Sequence, residues 1–170
     1  NVLGPDGVPR PGWPVYIFPP VSAEGGLGQP LMWDLNGQPG DEIVCASDYG
    51  AMLFFTADGG RIIQQYAFNV PLTAPVGVVG ASERRAVSVA GDGRARAWAA
   101  GALLRADRAL GHATPLAPAV GVLTAGGPES VVIACADGFV TAVDDDLEDR
   151  AGWPVSLGHG LELAPVLVDL

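Results

Sequence analysis

The sequence predicts an all-β fold built from a repeating four-stranded unit, and three observations lead to this prediction. The tetrapeptide GWPV occurs at Gly12–Val15 and again at Gly152–Val155. Between the two copies, a proline followed by an apolar run recurs at nearly constant spacing, and a turn glycine recurs in step with it. The chain is also rich in Gly (24) and Pro (15), with β-branched residues between them. This composition is typical of short strands joined by tight turns.

The proline marker defines the period of the repeat. Its four copies read QPLMWD, TAPVGVV, LAPAVGV and LAPVLVD, and their prolines are spaced by 45, 43 and 47 residues, at Pro30, Pro75, Pro118 and Pro165. The turn glycines are spaced by 43 and 45 residues, at Gly50, Gly93 and Gly138. Two independent markers with one period indicate a structural repeat.

Each repeat is predicted to contain four strands. The first follows the proline, at 30–34, 75–79, 118–122 and 165–169. The second and third flank the turn glycine, at 42–47, 86–90 and 130–135, and at 51–56, 94–98 and 139–143. The fourth carries GWPV or its degenerate equivalent, at 13–18, 61–68, 102–108 and 153–157.

The third strands predict one constant apolar face and one tolerant face. The second and fourth positions after the turn glycine are apolar in all three units, whereas the first and third positions are mixed and include Arg94 and Arg96. Residues 95–110 are rich in the helix formers Ala, Leu and Arg, but Gly101 interrupts them. The repeat instead predicts strand, turn and strand there.

Four antiparallel strands in about 45 residues correspond to one blade of a β-propeller. We therefore predict a propeller segment of about three complete blades plus partial blades at both ends. Proline cannot donate to a sheet ladder, so Pro14 and Pro154 are expected on the outermost strand of a blade, each beside a tryptophan that covers the gap to the next blade. The predicted ranges are a partial blade at 1–18, blades at about 28–68, 73–109 and 116–157, and the start of another at 163–170.

The chain resembles the FG-GAP/VCBS repeat propellers, which are related to the integrin α-subunit head. The residues that carry the resemblance are DGVPRPGWPV (6–15), QPLMWDLNGQPGDEIV (29–44), DYGAMLFFTADG (48–59) and AGWPVSLGHGLELAPVLVDL (151–170). The resemblance implies an extracellular, cell-surface or periplasmic module. Because both ends cut through blades, it also implies a longer propeller, whose remaining blades or an assembly neighbour would cover the open ends.

The resemblance places a calcium loop at 34–42, DLNGQPGDE. It implies ligand positions at Asp34, Asn36, Gln38 and Glu42, with the carbonyl of Gly40 as a backbone ligand. Oxygen ligands of this kind suit Ca²⁺, and with two carboxylates the expected affinity is weak. The loop departs from the family pattern, because Gln38 stands where the family has Asp and Pro39 replaces a glycine. The alternative is a tight turn at Asn36–Gly37 without an ion.

Other polar clusters have a structural interpretation beside a functional one. The acidic run DDDLED (144–149) could gather cations or a basic partner, and the alternative is a solvated turn. His112 and His159 each lie six residues before a repeat proline, which favours equivalent loops over a zinc pair or a catalytic role. Cys45 and Cys135 fall in non-adjacent units, so buried free thiols are expected.

The net charge and the sequence motifs limit the classes of partner and function that the chain could have. The net charge is −10 and all basic residues are Arg, so a nucleic-acid partner is disfavoured, whereas cations, neutral sugars and proteins are compatible. No apolar run reaches the ~20 residues of a membrane span, and no common catalytic motif occurs. The sequence favours a non-catalytic binding or scaffold module for a protein or carbohydrate. The alternatives are a fragment of a propeller enzyme, such as a polysaccharide lyase or quinoprotein dehydrogenase, or a structural subunit of a large assembly.

Overall fold

The computed structural model describes residues 2–15, 26–48, 50–59, 61–67, 70–73, 75–112 and 115–168. Within them, strands form three four-stranded antiparallel sheets, each in chain order, which we call blades 1, 2 and 3. Blade 1 contains β1 (Leu31–Trp33), β2 (Glu42–Ala46), β3 (Ala51–Phe55) and β4 (Arg61–Ala67). Blade 2 contains β5 (Val76–Val79), β6 (Arg84–Ala90), β7 (Arg94–Ala99) and β8 (Leu103–Ala109). Blade 3 contains β9 (Ala119–Val122), β10 (Glu129–Ala134), β11 (Phe139–Val143) and β12 (Val155–Ser156).

The three sheets form a partial β-propeller, so the fold-class prediction is confirmed. The first strand of blade 2 contacts the first strands of blades 1 and 3, which places the first strands innermost. The segment predicted as strand, turn and strand is also confirmed, because only a short 3₁₀ turn at Ala100–Ala102 separates β7 from β8. Gly101 has φ of 70° in this turn, a left-handed conformation that favours glycine.

Two predicted strands are not formed by those of their residues that the structure describes. Residues 165–168 are not paired in a sheet, and 169 lies outside the described residues. In the first GWPV copy, residues 13–15 form no strand, and 16–18 lie outside the described residues. In the second copy, Val155 begins the edge strand β12 directly after Pro154, as expected for a residue that lacks a ladder donor. Both Trp–Pro peptide bonds are cis.

Blades 1 and 2 are joined by an apolar layer that both sheets contribute. Its largest buried side chain is Trp98 on β7, which packs against Phe54 on β3 with ring centroids 6.4 Å apart. Small residues of blade 2 make room for larger ones of blade 1. The buried members of the layer are Leu35, Val44, Ala46, Met52, Phe54, Leu72, Ala86, Ala90, Trp98 and Ala102.

A second apolar layer joins blades 2 and 3. It is built largely from β-branched residues, which suit the pleated surface of a strand. Its buried members are Val78, Val87, Val89, Ala95, Ala97, Val131, Ile133, Cys135, Val143 and Leu147. Because each central strand sends alternate residues into different layers, one sheet serves two interfaces.

The N-terminal segment covers the other face of blade 1, as predicted for the GWPV tryptophan. Trp13 packs against Phe55 with ring centroids 5.8 Å apart, and its indole N–H donates to the carbonyl of Ala57 at 3.3 Å. Ile43, Cys45, Leu53 and Phe55 form the blade side of this third cluster. Trp153, the equivalent residue of the second copy, is half-buried.

The face described above as tolerant is mixed in residue type, and it is buried at four of its six positions, whereas Arg94 and Phe139 are partly exposed. Arg96 lies on this face of β7 and is 3% exposed. It is accommodated because the carboxylate of Asp92 accepts a hydrogen bond from its guanidinium at 2.8 Å, and Asp107 lies 3.5 Å from its Nε. A buried arginine is tolerated only when carboxylates compensate its charge.

Blades 1 and 2 also approach closely near their inner strands. The indole of Trp33 lies over Gly77 on β5, and a Cβ atom at Gly77 would fall 2.4 Å from the ring. Glycine is therefore required sterically at this position, and its φ does not impose the requirement.

We predict that Trp98→Ala destabilises the fold by about 3–5 kcal/mol, the range for a large aromatic removed from a packed core. The reason is that Trp98 is fully buried between two blades. Trp153→Ala should cost less than half as much, because Trp153 is only half-buried. Urea unfolding followed by far-ultraviolet circular dichroism measures both. Equal losses in the two variants would contradict the assignment of Trp98 as the central residue of this layer.

Candidate functional site

The loop that the sequence assigned to calcium is closed by its own side chains. It follows β1 at Asp34 and ends at Glu42, the first residue of β2. The backbone N–H of Leu35 donates to Oε2 of Glu42 at 2.8 Å, and the side-chain amide of Asn36 donates to Oε1. Both carboxylate oxygens of Glu42 therefore accept hydrogen bonds within the loop, and the residue is buried.

Asp34 connects this loop to blade 2. Its Oδ1 accepts a hydrogen bond from the backbone N–H of Gly37 at 2.6 Å, and its Oδ2 forms an ion pair with Arg84. The same guanidinium also donates to the carbonyl of Asp34 at 3.2 Å. Asn36 Oδ1 accepts from the N–H of Gln38 at 2.6 Å. Gly37, with φ of 71°, makes the turn that the sequence offered as the alternative to a metal loop.

This arrangement fits an ion pair between blades better than a Ca²⁺ site. Among the five proposed ligand positions, Asn36, Gln38 and Gly40 are exposed, and the carboxylates of Asp34 and Glu42 have protein partners. Across the described part of the chain, no group of three or more His, Cys, Asp or Glu side chains is placed to hold a metal ion. Calcium binding here stays a prediction, and it requires Arg84 to release Asp34.

The acidic run at 144–149 is more than a solvated turn, because it binds arginines of blade 2. Arg85 is 5% exposed, and its Nη1 donates to the carbonyl of Asp145 at 2.5 Å and to Oδ1 of Asp146 at 2.6 Å. Its Nη2 lies 3.5 Å from Oδ2 of Asp145 and 3.5 Å from Oε1 of Glu83. The acidic loop therefore joins blade 3 to blade 2.

A second arginine of blade 2 binds the same loop. Arg108 on β8 donates to the carbonyl of Leu147 and to the carboxylate of Asp149, while the hydroxyl of Thr141 donates to Asp149 at 2.9 Å. The hydrogen bond from Arg108 is the main reason that the pKa of Asp149 lies below its ordinary value; burial opposes it, and Thr141 adds to it. Leu147 is fully buried in the layer between the two blades.

Sequence reasoning missed these ion pairs, although a signal exists. Loops that join first to second strands and loops that join third to fourth strands fall at the same end of a blade. Arg84 and Arg85 begin β6 directly after the loop between β5 and β6, and the acidic run at 144–149 lies in the loop between β11 and β12 of the neighbouring repeat. Opposite charges in such positions indicate an ion pair between blades.

The two histidines lie in repeated loops, which agrees with the structural interpretation. The carbonyl of His112 lies against the turn glycine Gly93, and the carbonyl of His159 lies in the same way against Gly138. The ring of His112 stacks on Phe139 with centroids 3.9 Å apart, and its Nδ1 lies 3.2 Å from a carboxylate oxygen of Asp137.

Both cysteines are buried free thiols, as expected. Burial raises the pKa of the Cys45 thiol. Burial also raises the pKa of the Cys135 thiol to about 11, with the Asp137 carboxylate adding to the shift. Both thiols are therefore protonated near neutral pH, and neither is a reactive thiolate.

The inner strands carry a surface that the sequence did not predict. Each blade exposes one large apolar side chain at or near the end of its innermost strand: Met32 is 59% exposed, Val79 is 46% exposed and Val122 is 54% exposed. Apolar residues in strands are ordinarily interpreted as core, so periodicity alone could not separate these three from their buried neighbours.

Two concave regions adjoin this surface and share Val79. The first, of about 310 Å³, is lined by Met32, Trp33, Asp34, Asp41, Val79 and Arg84, and we call it the inner groove. The second, of about 590 Å³, is lined by Val79, Gly80, Ala81, Pro128, Glu129, Asp144, Asp145, Asp146 and Arg150, and we call it the acidic cavity. An apolar surface thus continues into a pocket rich in carboxylates.

Comparison with known proteins supports the fold alone. No protein-family model matches the chain, and no curated protein matches it significantly. Among solved structures, the chain is similar to BBS1N, crystallised in complex with ARL6DN, with a TM-score of 0.57 and 16% identity over 84% of this chain. The chain spans 43% of that BBS1N chain, less than half of its length.

Two computationally designed proteins have similar structures. Ika4 matches with a TM-score of 0.54 and 17% identity, over 84% of this chain and 88% of its own. Ika8 matches with a TM-score of 0.51 and 20% identity, over 75% of this chain and 37% of its own. At these identities the likeness shows a shared fold and carries no functional residue across.

We predict that Arg85→Met lowers the free energy of unfolding by about 3–5 kcal/mol, because it leaves the carboxylate of Asp145 buried without its partner. The neighbouring Arg84→Met is the matched control. Arg84 is 44% exposed in its ion pair with Asp34, so its loss should cost no more than about 1 kcal/mol. Urea unfolding of both variants tests the difference, and similar losses would show that the acidic loop does not hold the blades together.

We also predict that Asp149 contributes to stability in a pH-dependent way. Its pKa is lower in the folded state than in the unfolded chain, so its contribution is present above the ordinary value of about 3.9 and is lost as the pH falls through the lowered folded value. The difference in unfolding free energy between the natural chain and Asp149→Asn should therefore shrink as the pH falls below about 4. Denaturant titrations from about pH 6 to pH 2 measure it, and a constant difference would contradict this role.

Proposed function

We propose that the chain is a non-catalytic β-propeller module that binds a protein partner or serves as a scaffold for it. The observation that carries this proposal is the exposed apolar surface of the inner strands, to which each blade contributes one side chain. Exposed apolar residues gathered on one face are typical of interaction surfaces, whereas single scattered ones are ordinary. Val79 and Val122 occupy matching positions, four residues after the repeat proline, whereas Met32 lies two residues after Pro30.

The structural neighbours support this proposal at the level of the fold. BBS1N was crystallised in a complex with another protein, ARL6DN, so a propeller of this kind can bind a protein. The interface and partner belong to BBS1N, because 16% identity transfers neither. The whole protein's activity and partners are therefore part of the proposal.

Membership of the FG-GAP/VCBS repeats belongs to the same proposal. It is supported by the two GWPV copies and by the loop at 34–42. It leads us to place the module outside the cytoplasm, on the cell surface or in the periplasm. A carbohydrate partner is the competing ligand class, since neutral sugars are also compatible with an acidic surface.

Site-specific photo-crosslinking tests the proposed function. A benzoylphenylalanine placed at position 79 or 32 should give crosslinked products with a partner in the source cells after irradiation. The same group at position 103 is the matched control, because Leu103 is 44% exposed but lies on the outermost strand of blade 2. Crosslinks from position 103 alone, or from none of the three positions, would contradict a partner on the inner strands.

We keep weak calcium binding at Asp34–Glu42 as a prediction with a structural condition. Calorimetric titration should give small heats of Ca²⁺ binding in the intact chain, with a Kd nearer ~10⁻⁴–10⁻³ M than that of a cytosolic sensor. Asp34→Ala should abolish them. Arg84→Gln should enlarge them, because it frees a carboxylate oxygen of Asp34. Equal heats from all three proteins would assign the loop to its turn and its ion pair alone.

A further inference from the structure

The inner groove and the acidic cavity differ in chemistry but are continuous through Val79. The groove presents the exposed side chain of Met32 beside Trp33, and Asp34, Asp41 and Arg84 border it. The cavity presents Glu129 and the carboxylates at 144–146. A ligand that lies across Val79 would therefore meet the apolar side chains of Met32 and Trp33 on one side and a negative pocket on the other.

The cations near this surface are already engaged. Arg84 pairs with Asp34, and Arg85 is buried against Asp145 and Asp146. Arg150 donates to the hydroxyl of Ser130 at 3.1 Å and to the carbonyl of Glu129 at 2.8 Å. The two arginines that line the described groove and cavity, Arg84 and Arg150, therefore both have acceptors within the protein.

Several carboxylates keep capacity to accept further hydrogen bonds. Glu129 uses Oε2 for the N–H of Val79 at 2.8 Å, and Asp144 uses Oδ1 for two backbone N–H groups of its own loop. Asp146 uses Oδ1 for Arg85, and its side chain is 67% exposed. The remaining oxygens of these three residues have no hydrogen-bond donor among the described residues.

Glycine at position 80 is needed where the groove meets the cavity. A Cβ atom at Gly80 would fall 2.0 Å from Oδ2 of Asp145 and 2.7 Å from the carbonyl of Glu83. A larger residue would displace the carboxylate that Arg85 binds. The approach from Val79 into the acidic cavity therefore depends on the absence of a side chain there.

We propose that the inner groove and the acidic cavity together dock an extended segment of a protein partner in which apolar side chains alternate with Arg or Lys. This inference rests on the proposed function and specifies its partner. The apolar side chains of the segment cover Met32 and Val79, and a basic side chain enters the cavity. Complementary charge selects the partner, because a net charge of −10 together with these carboxylates repels an acidic segment.

Fluorescence anisotropy with three labelled ten-residue peptides tests the inference. The probe alternates Leu with Arg, the second peptide replaces each Leu with Ser and keeps the charge, and the third replaces each Arg with Glu. The probe should bind the intact chain at least tenfold more tightly than either of the others. Its affinity should fall as salt is raised, because screening weakens the ionic part of the interaction.

Matched variants locate the binding. Val79→Ser should weaken binding of the probe about threefold, since a partner covers only the exposed 46% of this valine. Leu103→Ser, with nearly the same exposure on an outer strand, should leave it unchanged. Asp146→Asn should weaken it by a smaller factor, and should do so only for the two basic peptides. Thermal melts of all variants check that they remain folded.

The outcomes separate this inference from the proposed function. If the Ser-for-Leu peptide binds as tightly as the probe, or if Leu103→Ser weakens binding as much as Val79→Ser, attraction to the acidic chain is nonspecific and the inference is wrong. Crosslinks from position 79 to a partner would then still support the proposed function. Tight binding of the acidic peptide would overturn the charge argument.

Discussion

The structure depends on one constraint: the apolar faces of a sheet must be covered by neighbours, as both faces of blades 1 and 2 are. The strands β2 and β3 are buried along their whole length, with alternate residues packed toward the N-terminal segment and toward blade 2. A blade on its own would expose both of these faces to water. Repeat proteins stabilise such units through their contacts with neighbouring units, and a single unit lacks this contribution. The layers between blades, with Trp98 at the centre of one of them, are thus the core of this protein.

This constraint also decides where polar chemistry can occur. Because both faces of a blade are used by its neighbours, charged groups lie at the ends of strands or need a partner within the interface. Arginine suits this situation, since its planar guanidinium can bind several acceptors at once. Arg85 contacts two loops of acidic residues from one buried position, and Arg108 reaches a carbonyl and a carboxylate. The same loops border the inner strands, so the groups that join the blades also shape the surface available to a ligand.

Much of the architecture could be predicted from the sequence because it follows from periodicity. The spacing of the repeat prolines and turn glycines located the strands, and the missing N–H of Pro154 indicated an edge. Contacts between repeats could not be predicted in the same way. Arg96 was interpreted as part of a tolerant face, because alternation identifies a face without revealing what covers it. The exposure of Val79 could not be predicted, because an apolar strand residue gives no sign of its exposure. In the loop at 34–42, family resemblance indicated ligands for Ca²⁺. In the structure, Arg84, fifty positions away in the sequence, instead forms an ion pair with Asp34.

The contact between Trp33 and Gly77 has a consequence for how such a chain can be rearranged. The two residues belong to different sheets, yet neither position can change freely while the other stays as it is. A duplication or exchange that copied blade 2 behind another sheet would bring Gly77 without its indole and leave a gap. Insertion of a different sheet behind blade 1 would set a side chain against the ring. A transplanted unit that keeps this contact must therefore run at least from β1 to β5, and recombination at the boundary between the two sheets would separate residues that must be inherited together.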